Sequence, residues 1–297
     1  MFGETPQKTE EPNAMETIDR FLDRVENLPP APTVAIQLLE LFSDPDRDID
    51  RIVAIIKLDP SLTAATLKRC NNSAFSGMEP AADMFEAVCR LGLYEIYSLV
   101  TGLIASQTMT AVRAKYSWDS TRLWRHTVTT AVIASILAKR VEVVEASAFT
   151  AGLLHDLGKI IFVSVEGVAY AEMARNAGLF GPAVVAAEKS AFGFSHADLG
   201  ARLLARWGIP ENICVAVQRH HHSPAAANQH QRFAATVHLA NALAHQMVDG
   251  SANAPAAADA SQQAMELVEL KAKDLPALRQ QIALAMERVQ GLLQLHG

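Results

Sequence analysis

The stretch Gly152-Leu153-Leu154-His155-Asp156-Leu157-Gly158-Lys159 sets a histidine and a carboxylate side by side at the end of an apolar segment. Neither side chain can be buried without partners, because an unpaired polar or charged group is costly in the interior. A chain with this string must therefore bring other polar side chains to it. The sequence offers them on separate apolar segments: His126 upstream, then His196, the run His220, His221 and His222, and Asn241 downstream. Imidazoles and a carboxylate gathered in this way suit a divalent metal centre, where bound water is acidified enough to attack a phosphoester near neutral pH. Each histidine alone has a plainer reading, a core residue with one hydrogen bond to a backbone carbonyl. Five of them (His126, His155, His196, His220 and His221) on inward faces beside one aspartate make that reading harder to sustain for all at once. Asp156 and Lys159 are the candidates for chemistry, Lys159 being placed to neutralise a phosphate oxygen. His222, His230, His245 and His296 read as surface residues, as does Glu188, whose alternative is to support His196. His238 fits either environment.

The surrounding pattern is helical throughout. Apolar residues recur at helical spacing in Ile36, Leu38, Leu39 and Phe42, and in Ile52, Ile55 and Ile56, while no alternation of period two persists. The fold class expected is all-α. With 297 residues the chain exceeds the usual size of one domain, which predicts two helical lobes. Residues 1–15, rich in Glu, Pro and Thr, read as a tail, and residues 16–115 as an N-terminal helical lobe. Its breaks are expected at 28–32, 43–45, 71–72 and 77–80, with Asp59-Pro60 opening a helix and Gly92 capping another that resumes over 93–104. Residues 116–249 form the second lobe. There Leu123, His126, Thr130, Ile133 and Leu137 stack on one face, and a helix over 146–157 ends in the His-Asp pair with Gly158 as its terminator. Ser195-His196-Ala197-Asp198 has the form of a capping box, Pro210 opens the next helix, and Val237, Asn241 and Ala244 share an inward face. Residues 250–263 read as a linker. Residues 267–295 read as an amphipathic segment that packs on its own domain or, as the alternative, makes a homodimer.

Composition narrows the function classes. Lys and Arg number 26 against 32 Asp and Glu, a formal charge of -6, with no basic run to follow a phosphate backbone, so nucleic acid is not an expected partner. No long stretch is free of polar side chains, which predicts no membrane span, and the acidic first residues do not read as a signal peptide. The scattered Cys70, Cys89 and Cys214 fit reduced thiols and a cytoplasmic location.

The string His155-Asp156-Leu157-Gly158-Lys159, with His126 in Leu123-Trp124-Arg125-His126 before it, resembles the HD superfamily of metal-dependent phosphohydrolases. Leu28-Pro29-Pro30-Ala31-Pro32, Leu58-Asp59-Pro60-Ser61-Leu62, Asn72-Ser73-Ala74, residues 87–92 and 207–210, and His220-His221 narrow the resemblance to the HDOD domain, the HD-related output domain of bacterial signalling proteins, over residues 22–244. The resemblance implies an HD-like helical bundle packed against an N-terminal helical lobe. It also implies a divalent ion, iron, manganese, zinc and magnesium all being compatible. By similarity to phosphodiesterases that hydrolyse cyclic di-GMP, its ligands would be His126, His155, Asp156, His196, His220 and His221, with Asn241 where those enzymes carry an aspartate. Arg122 stands where they carry a glutamate, and their Gly-Tyr-Pro segment is replaced by Ser223-Pro224-Ala225 after His222. The expectation is a signalling output module without robust catalysis that acts through contacts with signalling proteins. The competing readings are a metal-dependent phosphohydrolase and a sensor that binds a nucleotide or cyclic dinucleotide without turnover.

Overall fold

The computed structural model describes residues 14–24, 37–38, 41, 48–57, 60–70, 81, 83–116, 120–141, 143–179, 181–222, 229–249 and 258–288. Among these the regular structure is helical and no strand occurs, as the apolar spacing predicts. The expected breaks at 28–32, 43–45, 71–72 and 77–80, and the Asp59 cap, lie outside the described residues.

The stretch read as an N-terminal lobe contains α2 (Ile49–Lys57), α3 (Pro60–Cys70) and the first part of α4 (Met84–Tyr116). Asp83 caps α4 by accepting from the Glu86 amide at 2.8 Å. Gly92 ends the first helical stretch of α4 as expected: its backbone is non-helical, with φ +76°, a conformation that costs glycine little, and a second stretch follows across the kink. Helical structure then continues to Tyr116, past the expected end at 104. Beyond the bend α4 packs on the second lobe, where Tyr94 donates to Ser135 Oγ at 2.8 Å.

The stretch read as a second lobe is arranged around α6 (Glu145–Leu154), which is buried on every side from Ser147 to Leu153. A helix apolar all round must be enclosed, and α4, α5 (Ser120–Ala138), α11 (Glu211–Arg219) and α12 (Gln231–Asp249) surround it. The remaining helices are α7 (Leu157–Glu166), α8 (Val168–Asn176), α9 (Pro182–Phe192) and α10 (His196–Arg206). The stretch Glu145–Glu166 is long and apolar enough to cross a membrane. It is, however, broken at His155 and Asp156 and largely buried in the fold.

Two placements differ from the sequence expectation. Helix α1 (Ala14–Asp23), read as part of the N-terminal lobe, docks on α10 of the second lobe. Asp19 accepts from Arg202 Nε and Nη2 at 2.7 and 2.6 Å. The segment expected as a linker over 250–263 contains the start of α13 (Ala258–Leu267), because alanine is the strongest helix former and Ala264 finds a buried seat. The amphipathic segment is not one helix. A turn through Glu269, with φ +56°, leads to a short 3₁₀ turn and then α14 (Leu275–Arg288). Leu278 and Ile282 are buried and α14 packs on α5, so this segment covers its own domain.

Candidate metal centre

The His-Asp pair lies in the turn between α6 and α7, with the first turn of α7 following at once. Gly158, read as a helix terminator, lies inside that first turn and is buried. Its role is close approach. A Cβ built there would run into the carbonyl oxygen of His196 and stand 2.7 Å from its carbon. Only glycine lets the start of α7 meet the start of α10.

The start of α10 carries the expected capping box. Ser195 Oγ accepts from the Asp198 amide at 3.3 Å, and Asp198 Oδ2 accepts from the Ser195 amide at 3.0 Å. His196 is thereby fixed in the first turn, and Glu188 fixes its ring. Glu188 Oε2 accepts from the His196 amide at 2.8 Å and from Nδ1 at 2.7 Å, while Oε1 accepts from Tyr170 at 2.6 Å. The surface reading of Glu188 is thus overturned, since its side chain is fully buried. The sequence signal was faint: one acid eight residues before a histidine, with an intervening helix end.

The other rings are oriented by backbone. His155 Nδ1 donates to Gly152 O at 2.7 Å, and His220 Nδ1 to Val217 O at 2.6 Å. His238, ambiguous in sequence, is buried and donates from Nδ1 to His220 O at 2.9 Å, holding that turn. On facing helices α5 and α12, His126 Nε2 stands 2.9 Å from Asn241 Oδ1. His245 is not a surface residue as expected: it is half-buried and stacks on His126, ring centres 4.3 Å apart. His222 and His230 are also half-buried, and His296 lies outside the described residues. Arg122 is exposed.

All seven expected donors converge. His126, His155, Asp156, His196 and His220 are at most 1% exposed, Asn241 is buried and His221 is half-buried. Six of them fall into two groups that share Asp156: His196, His220 and His221 with Asp156, and His126 and His155 with Asp156. Asp156 Oδ1 lies 3.2 Å from His196 Nε2 and 3.7 Å from His220 Nε2. Oδ2 lies 3.3 Å from His155 Nε2 and 3.9 Å from His126 Nε2. His196 Nε2 is 3.3 Å from His220 Nε2 and 3.1 Å from His221 Nε2. Two nitrogens held about 2.1 Å from one tetrahedral ion stand about 3.4 Å apart, so these separations are those of ligands around a common ion. Because Nδ1 of His155, His196 and His220 already donates, Nε2 presents a lone pair inward, the arrangement that metal-binding histidines use. The residues fit a metal.

The electrostatics agree. Burial, aided by neighbouring imidazoles, holds His126, His220 and His221 well below the usual histidine range, neutral and ready to ligate. Burial alone would raise Asp156, but His155, Lys159 and His196 outweigh it and keep the carboxylate ionised. His196 differs: burial opposes charge there, yet the Glu188 carboxylate prevails and raises it, so an ion must displace a proton from this ring before Nε2 can ligate. Lys159 is not poised over solvent. It is 1% exposed, and its Nζ sits 2.9 Å from Asp156 Oδ2.

The HDOD domain profile matches residues 28–223, ending short of the resemblance read over 22–244. A protein of Treponema pallidum of uncharacterised function is 31% identical over 232 residues, 74% of this chain. This chain spans 42% of that relative's length. Two solved structures share the fold at a TM-score of 0.68 each. One, from Shewanella amazonensis SB2B and provisionally named a phosphohydrolase, is 25% identical over 93% of this chain and 98% of its own. The other, an HDOD domain protein of unknown function from Geobacter sulfurreducens, is 21% identical over 90% and 96%. On the extent of the profile match and an all-helical architecture shared along nearly its full length, the chain belongs to the HDOD domain family.

Proposed function

We propose that this chain is a signalling output module that holds one divalent transition-metal ion as a buried core, lacks robust turnover, and acts in the cytoplasm through contacts with other signalling proteins. The observation that carries this reading is the state of Asp156. It is the one carboxylate common to both donor groups, it is 1% exposed, and the Lys159 ammonium already compensates its Oδ2. An ion beside His126 and His155 would share that oxygen with Lys159, and the remaining donor there is the neutral amide of Asn241. An ion beside His196, His220 and His221 would face Oδ1 without that competition. Three imidazoles to one carboxylate favour a first-row transition ion over magnesium. When bound, the ion supplies positive charge that ties α7, α10 and α11 together. Glu188 and Val217 O hold the ligand rings, and Lys159 keeps Asp156 ionised.

The test is turnover of bis(4-nitrophenyl) phosphate and cyclic di-GMP by protein supplied with manganese, ferrous iron or zinc. The expected rate equals that of the His155→Ala/Asp156→Ala double variant. A metal-dependent rate that the double variant lacks would overturn the reading. It would favour the second one, a phosphohydrolase, which has an observation of its own. The shared Asp156 faces both donor groups, as a bridging ligand does in two-metal hydrolases, and the Shewanella amazonensis structure carries a phosphohydrolase name.

A further inference from the structure

Helix α1 lies more than a hundred residues before the His-Asp pair, yet its Phe21 touches the packing that supports the centre. Phe21 is 6% exposed, and its ring lies 5.3, 5.4 and 6.0 Å from those of Phe162, Phe194 and Phe192. Each partner is within about one helical turn of a residue of the centre. Phe162 follows Lys159 on α7, Phe192 follows Glu188 on α9, and Phe194 precedes His196 at the start of α10. Phe162 also stacks on Tyr170 at 4.9 Å, and the Tyr170 hydroxyl donates to the carboxylate that orients His196. Outside this aromatic cluster α1 is clamped by charge. Asp19 takes both Arg202 nitrogens, Arg206 reaches Asp19 and Asp23, and Arg24 pairs with Glu166 at 3.0 Å. Arg202 and Arg206 stand on α10, the helix whose first residue is His196.

We propose that α1 is a docked strap and Phe21 a positioning residue, holding His196 through Phe162, Tyr170 and Glu188, so that lifting α1 from α10 loosens the metal. The inference rests on the metal-bound reading above. It gives the module an input: whatever displaces α1 changes the occupancy of the centre.

Zinc affinity of the full chain, read by competition with a chromophoric chelator, tests it. Phe21→Ala is expected to weaken zinc binding about tenfold, the lower end of the effect of losing an outer partner of a metal ligand. Phe21→Leu, which refills the space, restores most of the affinity, and Asp19→Ala, which leaves the aromatic cluster intact, shifts it in the same direction as Phe21→Ala. Ile56→Ala empties a buried position in the N-terminal lobe and is expected to leave zinc affinity within about twofold, since distant sites act independently. In a Glu188→Gln background Phe21→Ala is expected to add nothing, because the route to His196 is already cut. Phe21→Ala and Asp19→Ala proteins that bind zinc as tightly as wild type would overturn this inference alone, as would equal weakening by Ile56→Ala. A wild-type protein that takes up no zinc would overturn both it and the metal-bound reading.

Discussion

Asp156→Asn is expected to abolish metal uptake at both donor groups, although it changes one oxygen to an amide nitrogen and leaves the volume intact. The two groups share this carboxylate and, among the described residues, each otherwise consists of imidazoles, so without it no anionic ligand remains to balance a dication. Asp156→Ala is expected to add a stability cost. It removes the carboxylate that lies 2.9 Å from Lys159 Nζ in a site 1% exposed, and removing one partner of a buried ion pair costs about 3–5 kcal/mol. Elemental analysis and urea unfolding of the two variants separate the effects. Metal retained by Asp156→Asn, or an Asp156→Ala protein as stable as metal-free wild type, would contradict this account.

Gly158→Ala is expected to rank with the most damaging single methyl additions in the chain. The backbone at Gly158 is not left-handed, as it is at Gly167 and Gly193, so conformational strain is not the cause. The added Cβ would meet the carbonyl of His196, which belongs to backbone and cannot swing aside. Either α7 or α10 must move, and each carries part of the centre, Lys159 on one and His196 on the other. The expected loss is about 3 kcal/mol, the upper end for overpacking, together with weakened metal binding. Denaturant unfolding that places Gly158→Ala within about 0.5 kcal/mol of wild type, the range of an unconstrained surface change, would show that the helices have room to separate.

Gly158 also marks where the sequence stops being informative. A glycine just after an apolar helical run looks like a terminator, and nothing local reveals that a carbonyl 38 residues later lies against it. What is periodic or local was legible. The apolar spacing of α5 and α12 set His126 and Asn241 on inward faces, and the Ser195–Asp198 cap placed His196 at a helix start. What depends on tertiary pairing was not. Glu188 looked like a surface acid until α9 was seen to turn it toward His196, and His245 until it stacked on His126. Helix α1 belonged by sequence order to the first lobe, but Asp19 and Phe21 find their partners on the second. Ala258–Leu267 was hidden for a compositional reason: Ala, Ser and Asp are as common in linkers as alanine is in helices.

The central claim is that the centre holds a single ion, and the most direct test is the metal-to-protein ratio of wild type purified without chelators. One divalent transition ion per chain is the predicted result, carried by Asp156 with His196, His220 and His221. No bound metal in a folded, stable protein would contradict the claim and leave the buried histidines as a hydrogen-bonded core. Two ions per chain would contradict it in the other direction, since both donor groups would then be filled despite Lys159 and Asn241.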